Sequence, residues 1–279
     1  IYVNYKTSGD IHVSLSSIVK YENNYKNYEY IIVDNNSDDS KGLDKIKKDF
    51  PFVKIIYAPH NGGFAYGNNT GINQCSGDII FLLNPDTYLK DNSIEILANR
   101  IQSDPALDII GPQLLNTDGS NQSCIAPKSY LTLWRLFCDQ LFLHRIFRRS
   151  KVFNSHLKDY INPDRECYVQ NVSGAAFMFK RDIIDKIGLM DELFFMYFEE
   201  TDYCLRADKY GLKMLYYPES KITHLIGSSN KPGSERSVRF FINSFKLYFK
   251  KNFTIITYYS ALIVLSAGSL LRLIILKLL

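Results

Sequence analysis

Residues 78 to 90 read Asp-Ile-Ile-Phe-Leu-Leu-Asn-Pro-Asp-Thr-Tyr-Leu-Lys, and this stretch decides the fold. Five consecutive apolar residues, Ile79 to Leu83, bounded by polar groups, predict a fully buried strand of a parallel sheet rather than one with a wet face. Pro85 has no N–H to give to a ladder, so the backbone leaves the sheet there and Asp86 falls just past the strand's carboxyl end. In open α/β sheets, ligands bind at that edge. A carboxylate so placed can hold a divalent cation against a diphosphate, which needs hard oxygen ligands. A plain polar turn after a strand is the competing reading.

Working outward, strands and helices alternate. Residues 1 to 4 read as the end of a strand whose start precedes residue 1. Residues 10 to 21 carry Ile11, Leu15, Ile18 and Val19 at helical spacing, and Tyr30 to Val33 form a second strand. A turn-rich loop, Asp34 to Ser40, leads to a helix near 41 to 49 and a strand at Val53 to Tyr57. A helix from about 65 to 75 precedes the strand of Ile79 to Leu83. Repeated β-α-β units of this length predict an α/β fold, a mostly parallel central sheet with helices on both faces. Beyond it the sequence predicts a helix to Ser103 and short strands at 109–111 and 113–115. Strands flanking a small-residue stretch follow within 169–180, then helices at 181–187 and 199–210, and short strands at 215–217 and 222–224.

The 279 residues carry 46% hydrophobic and 22% charged residues, enough for an ample core, with a net charge of +4 that is unevenly spread. Residues 144 to 151 and 236 to 251 are basic and free of acids, which suggests an anionic surface. Within 129–150, apolar and aromatic residues alternate with Arg135, Arg145, Arg148 and Arg149, the composition of an interfacial membrane helix; a core helix with a solvated basic end is the alternative. From Ile255 to Leu271 no residue is charged. A helix there is long enough to cross a hydrocarbon core, although Ser266, Gly268 and Ser269 leave lying in the interface open. Lys246, Lys250 and Lys251 would set the protein on the cytoplasmic face. The five cysteines are widely spaced without a Cys-x-x-Cys pair, as expected for reduced thiols.

Further constellations accompany Asn84-Pro85-Asp86. Asp34, in Val33-Asp34-Asn35-Asn36-Ser37, sits at a strand tip where it can accept from a base N–H or a ribose hydroxyl, or close an Asx-turn. Glycines in His60 to Gly71 let backbone approach a ligand closely, and amides opening a helix suit an anion. In Phe194 to Arg206 an aromatic wall leads into Glu199, Glu200 and Asp202. Crowded, desolvated carboxyls gain pKa and can serve as a general base, while Asp202 can pair with Arg206 on the helix. His224, after a short strand, is a candidate metal ligand or a structural histidine.

Together, Val-Asp-Asn-Asn-Ser at 33–37, Asn-Gly-Gly-Phe-Ala-x-Gly-Asn-Asn-x-Gly at 61–71, Leu-Leu-Asn-Pro-Asp at 82–86, Ser-Gly-Ala-Ala at 173–176 and Phe-Phe-x-Tyr-Phe-Glu-Glu-x-Asp-x-x-x-Arg at 194–206 resemble the inverting glycosyltransferase family 2, with its GT-A fold, and most closely its rhamnosyltransferase-like branch. The resemblance covers about residues 1 to 230, followed by a membrane-associated segment at 231–279. It implies transfer of a sugar, by resemblance rhamnose, from a nucleotide-diphosphate donor to a glycan, lipid-linked in this reading, at the cytoplasmic face of the membrane. It also implies Mg²⁺ or Mn²⁺ on Asp86 and His224. Asp34, Asn36, Asn61, Gly63, Phe64, Gly67, Asn68, Asn84 and Asp86 would bind the nucleotide sugar. Glu200 would be the base, with Glu199 and Asp202 as alternatives. The family's usual Asp-x-Asp is here Asn84-Pro85-Asp86, and its usual Glu-Asp pair is Glu199-Glu200. A non-catalytic nucleotide- or glycan-binding paralogue would lose these acids, nucleotidyl transfer would want a basic Gly-rich loop that Asn4 to Asp10 lacks, and no nucleic-acid partner is expected.

Overall fold

The computed structural model describes residues 1–122, 129–158, 160–225 and 233–278. β1 (Tyr2–Asn4), β2 (Tyr30–Asp34) and β3 (Val53–Tyr57) form a parallel sheet in the order β1-β2-β3. A second sheet runs β4 (Ile79–Leu83), β8 (Ala176–Lys180), β6 (Leu107–Leu115), β9 (Lys213–His224), β5 (Thr87–Leu89), with β7 (Cys167–Tyr168) also on β9. Ile1 joins the two, since its amine donates to Phe81 O (2.8 Å) and its carbonyl accepts from Leu83 N (3.0 Å). That pattern is a parallel bridge. The stretch Ile79 to Leu83 is therefore parallel to its neighbour on one side only; β8 on the other side is antiparallel. The sheet is parallel in its first half and mixed in its second.

The period of two in these strands sorts side chains onto two faces. Ile79, Phe81 and Leu83, with Tyr2, Ile32 and Met178, meet α1 (Ser8–Tyr21), α2 (Ser40–Asp49) and α4 (Ser93–Ser103) through Ile11, Leu15, Ile18, Leu43, Ile46 and Leu97. Ile80 and Leu82, with Phe177 and Phe179, meet α3 (Gly63–Ile72), α7 (Ile183–Ile187) and α8 (Glu199–Lys209) through Ala65, Ile72, Ile183, Tyr203 and Ala207. Helices thus cover both faces. Ile79 and Phe81 remain half-buried, short of the full burial expected of the strand.

Several boundaries differ from the sequence reading. The segments 109–111 and 113–115 are one strand, and so are 215–217 and 222–224. The β6–β9 register shifts between Pro112 and Gln113, so that Tyr217 and Lys221 face adjacent residues. Pro218 cannot donate to the ladder and sits in the resulting bulge. The expected single interfacial helix at 129–150 is two short helices, α5 (Leu133–Gln140) and α6 (Leu143–Ile146). Phe142 between them has φ 55°, a left-handed conformation that breaks the helix.

The carboxyl-terminal segment is built into the core. The expected boundary near 230 lies outside the described residues, but α9 (Glu235–Asn252) packs Phe245, Tyr248 and Phe249 against Phe194, Phe198 and Leu205. α10 (Ile255–Leu278) runs along α5, where a Cβ on Gly268 would lie 2.3 Å from Gln140. Its other side is open: Ile256 is 76% and Ile263 69% exposed. Among the described residues α10 alone is long and apolar enough to cross a membrane, with a mean hydropathy of 1.4 over Ile255–Arg272.

Phe245 is wholly buried and touches the rings of Phe198, Phe241 and Phe249. Phe245→Ala is expected to cost about 3–5 kcal/mol in denaturant unfolding, the range for truncating a core phenylalanine.

Candidate active site

Asp86 and His224 are far apart in sequence and meet because β5 pairs antiparallel with β9, Thr87 opposite His224. Leu225 N donates to Asp86 O (2.7 Å), and His224 Nε2 lies 3.4 Å from Asp86 Oδ1. Gln122 sets the imidazole. Its Nε2 donates to the carbonyls of Leu115 (3.1 Å) and His224 (2.6 Å), which leaves Oε1 facing His224 Nδ1 at 3.2 Å. In the neutral ring an oxygen there places the proton on Nδ1, which directs the lone pair of Nε2 toward the carboxylate. Two acceptors converging in this way fit a cation. Among the described residues no group of three or more His, Cys, Asp and Glu is placed to hold a metal, so the other ligands would have to come from elsewhere.

At the β2 tip the structure divides the expected residues. Asp34 closes an Asx-turn: its carboxylate accepts from Asn4 Nδ2 (2.8 Å), Ser37 N (3.3 Å) and Ser37 Oγ. It is 5% exposed and does not line the cavity described below. Asn35, which the sequence reading passed over, does line it, and its Nδ2 donates to Gly63 O (2.8 Å). Gly63 has φ +88°, and a Cβ would lie 2.1 Å from Phe195 O. Phe64 N donates to that same carbonyl (2.9 Å), fastening the glycine loop to the aromatic wall. Asn61, Gly63 and Phe64 line the cavity. Asn36, Gly67 and Asn68 do not. Asn36 is exposed on the outer side of its turn, Gly67 gives room to Val3, and Asn68 bonds Phe64 O (3.0 Å) within α3.

The acidic helix start is held under strain. Tyr197 and Phe198 have φ of 71° and 67°, which costs about 1–3 kcal/mol each for non-glycine residues. Tyr197 OH shares a hydrogen bond with Ser237 Oγ (2.8 Å), and Phe198 packs on Phe241, Phe245 and Tyr248. This turn aims Glu199 and Glu200 into the cavity. Asp202 points the other way. Wholly buried, it accepts from Arg206 Nε (3.0 Å), Lys251 Nζ (2.9 Å) and Asn252 Nδ2 (2.9 Å), and so ties α8 to α9 rather than taking a proton from a substrate.

Burial and the neighbouring Glu200 hold the Glu199 carboxyl well above the ordinary range; burial also raises Glu200, against hydrogen bonds that lower it. Two cavities meet at this pair. One, about 600 Å³, is lined by Asn35, Asn84, Asp86, His224, Glu199 and Glu200, among others. Among the described residues, Asn35 Oδ1, Asn84 Oδ1 and the Glu199 carboxyl oxygen Oε2 have no hydrogen-bond partner in this cavity, a signature of a site that awaits a polar ligand. Arg236 of α9 also lines it and was not foreseen, because no motif marks it. The other cavity, about 1280 Å³, lies between α5, α6 and α8. Tyr197, Glu200 and Phe241 line both.

The raised Glu199 pKa has a stability consequence. The folded chain holds this proton more tightly than the unfolded one, so the contribution is fully present below the ordinary value of 4.5 and is lost as pH rises through the folded value. Glu199→Gln, which stays neutral, is therefore expected to melt above wild type at pH 8 and level with it at pH 4, as calorimetry would show. Gly63→Ala is expected to destabilise the fold by more than about 1 kcal/mol in denaturant unfolding, from strain at positive φ and the collision with Phe195.

The hexosyltransferase Agl10 of low-salt glycan biosynthesis in Haloferax volcanii is 27% identical over 220 residues, 77% of this chain and 62% of that protein. The N-acetylglucosaminyl-diphospho-decaprenol L-rhamnosyltransferase of Mycobacterium tuberculosis is 23% identical over 205 residues, 70% of this chain and 65% of that protein. The chain thus spans less than two thirds of the length of these relatives. Among solved structures, GalNAc-T7 with UDP, GalNAc and Mn²⁺ superposes with a TM-score of 0.61 at 15% identity, over 88% of this chain and 46% of that one, and the shared fold is the GT-A fold. The sequence profile of Glycosyl transferase family 2 matches residues 1–188, and the chain belongs to that family.

Proposed function

We propose that the chain transfers a sugar from a nucleotide-diphosphate donor to a glycan hydroxyl with inversion at the anomeric carbon. The observation that carries this reading is the position of Glu200, the one acid among the described residues that lines both cavities. The cavity of Asn35, Asn61, Gly63, Phe64, Asn84 and Asp86 takes the donor, whose ribose and base supply donors to the unpartnered Asn35 and Asn84 oxygens. The second cavity takes the acceptor. Glu200 accepts the proton of the acceptor hydroxyl as its oxygen bonds to the anomeric carbon, and the bond from that carbon to the diphosphate oxygen breaks. The raised pKa makes Glu200 a stronger base once ionised. Glu199, more deeply buried and facing only the donor cavity, shapes the site beside it.

The residues present fit a divalent cation. Asp86 Oδ1 and the Nε2 of His224, oriented by Gln122, would hold it, with the donor's phosphates completing its shell. Such an ion, Mg²⁺ or Mn²⁺, would offset charge on the leaving diphosphate. The relatives' names favour rhamnose or another hexose as the sugar, and a lipid-linked acceptor accords with the exposed apolar side of α10. The open apolar side of α10 and the exposed Trp134, Ile146 and Phe147 would rest on the lipid. Lys246 and Lys250 remain to favour the cytoplasmic side, since Lys251 spends its charge on Asp191 and Asp202.

Glu200→Gln is expected to bind UDP or dTDP as wild type does while sugar transfer from a screened nucleotide sugar to a membrane lipid extract falls by about 10²–10⁴; full activity would refute the assignment. Asp86→Asn is expected to lose the Mn²⁺-dependent part of UDP or dTDP binding measured by calorimetry.

A further inference from the structure

The second cavity has a chemistry that sugar hydroxyls alone do not call for. Arg145, Arg148, Arg149 and Arg272 line it, with Asp139 as the acid besides Glu200. Asp139 is engaged by Arg272 (3.2 Å) and approached by His144 Nδ1 (3.8 Å). Arg145, Arg148 and Arg149 have no acidic partner among the described residues. Arg145 and Arg272 stack on the same ring, Phe142, at 5.3 and 5.2 Å, so two cations are held at one aromatic side chain against their mutual repulsion. Phe142 is also the residue in the left-handed conformation that separates α5 from α6 and sets the direction of the arginine-bearing turn. Burial pushes His156 down to about 4, so this histidine is neutral, and the four arginines supply the permanent positive charge of the cavity. Guanidinium forks match phosphate oxygens bidentately and stay ionised at every accessible pH. Apolar Leu131, Leu136 and Leu157 share the lining, and Arg272 belongs to α10, whose outer side is open and apolar.

We propose that this cavity takes a phosphate or diphosphate ester carried by the acceptor, its oxygens on Arg145, Arg148, Arg149 and Arg272, so that the sugar it bears presents a hydroxyl to Glu200. The apolar part of such an ester would leave along α10. This rests on the donor occupying the cavity of Asp86 and His224. Binding energy from the phosphate ester would position a sugar that on its own offers only weak contacts.

The test uses farnesyl diphosphate, a diphosphate ester on an apolar chain, titrated calorimetrically into the full chain in detergent beside farnesol. Wild type is expected to bind the diphosphate, and the triple variant Arg145→Gln, Arg148→Gln, Arg149→Gln to bind it at least about tenfold more weakly, as loss of charge-assisted hydrogen bonds predicts. The same triple variant should bind UDP or dTDP with Mn²⁺ as wild type does, which reports an intact fold. Should it not, Arg148→Gln alone carries the test with a loss of about threefold. The proposal is overturned if these variants bind farnesyl diphosphate like wild type, or if UDP or dTDP displaces the probe. It also falls if the triple variant loses only its flotation with phosphatidylglycerol vesicles, for the arginines would then serve bulk headgroups. Asp86→Asn separates the two readings. If it leaves nucleotide binding unchanged while the arginine effect holds, the donor assignment fails and the acceptor subsite stands.

Discussion

The site depends on one buried carboxylate. Asp202, with no exposed surface, is compensated by Arg206 of its own helix and by Lys251 and Asn252 of α9. A charge taken out of water is tolerable only when its partners are in place, so α8 and α9 are obliged to meet at this point. That junction lets α9 lay its aromatic face against Phe198 and hold two successive residues at positive φ. Released from it, Tyr197 and Phe198 would relax to ordinary backbone conformations and Glu199 and Glu200 would turn away from the cleft. The ion cluster thus acts on chemistry at a distance, by fixing the helix that carries the acids.

A second constraint comes from the sheet. β4 ends at a proline, β5 doubles back beside β9, and the pairing of Thr87 with His224 brings a carboxylate and an imidazole to one edge. The glycine loop is fastened to the aromatic wall by Phe64 N on Phe195 O and to the β2 tip by Asn35 on Gly63 O. Three segments distant in sequence thereby share one cavity. The polar oxygens left unpartnered there among the described residues are the cost of building a binding site into a folded core, since each gave up water without gaining a partner among those residues.

The acids at the start of α8 divide their labour by environment rather than by type. Glu199 is buried with an unpartnered oxygen, Glu200 opens on both cavities, and Asp202 is fully paired. Carboxylates within one turn of helix thus serve as a desolvated neighbour, a candidate base and a structural anchor. Position relative to solvent and cations decides which is which.

Much was written in the chain itself. The run Ile79 to Leu83 and the proline after it determined a strand and its end, because burial period and a missing N–H are local properties. The glycine loop and the aromatic-acidic segment were legible for the same reason, as was the pairing of Asp202 with Arg206 one turn apart. Tertiary structure alone decided the antiparallel partner of β4, the bulge that makes one strand of 213–224, and the break at Phe142. It also decided that Asp34 turns inward to Asn4 and Ser37 while Asn35 faces the cavity, that Gln122 orients His224, and that α9 forms a wall of the site. Each of these rests on groups far apart in sequence competing for the same hydrogen bonds or the same volume, and a local pattern carries no record of which competitor wins.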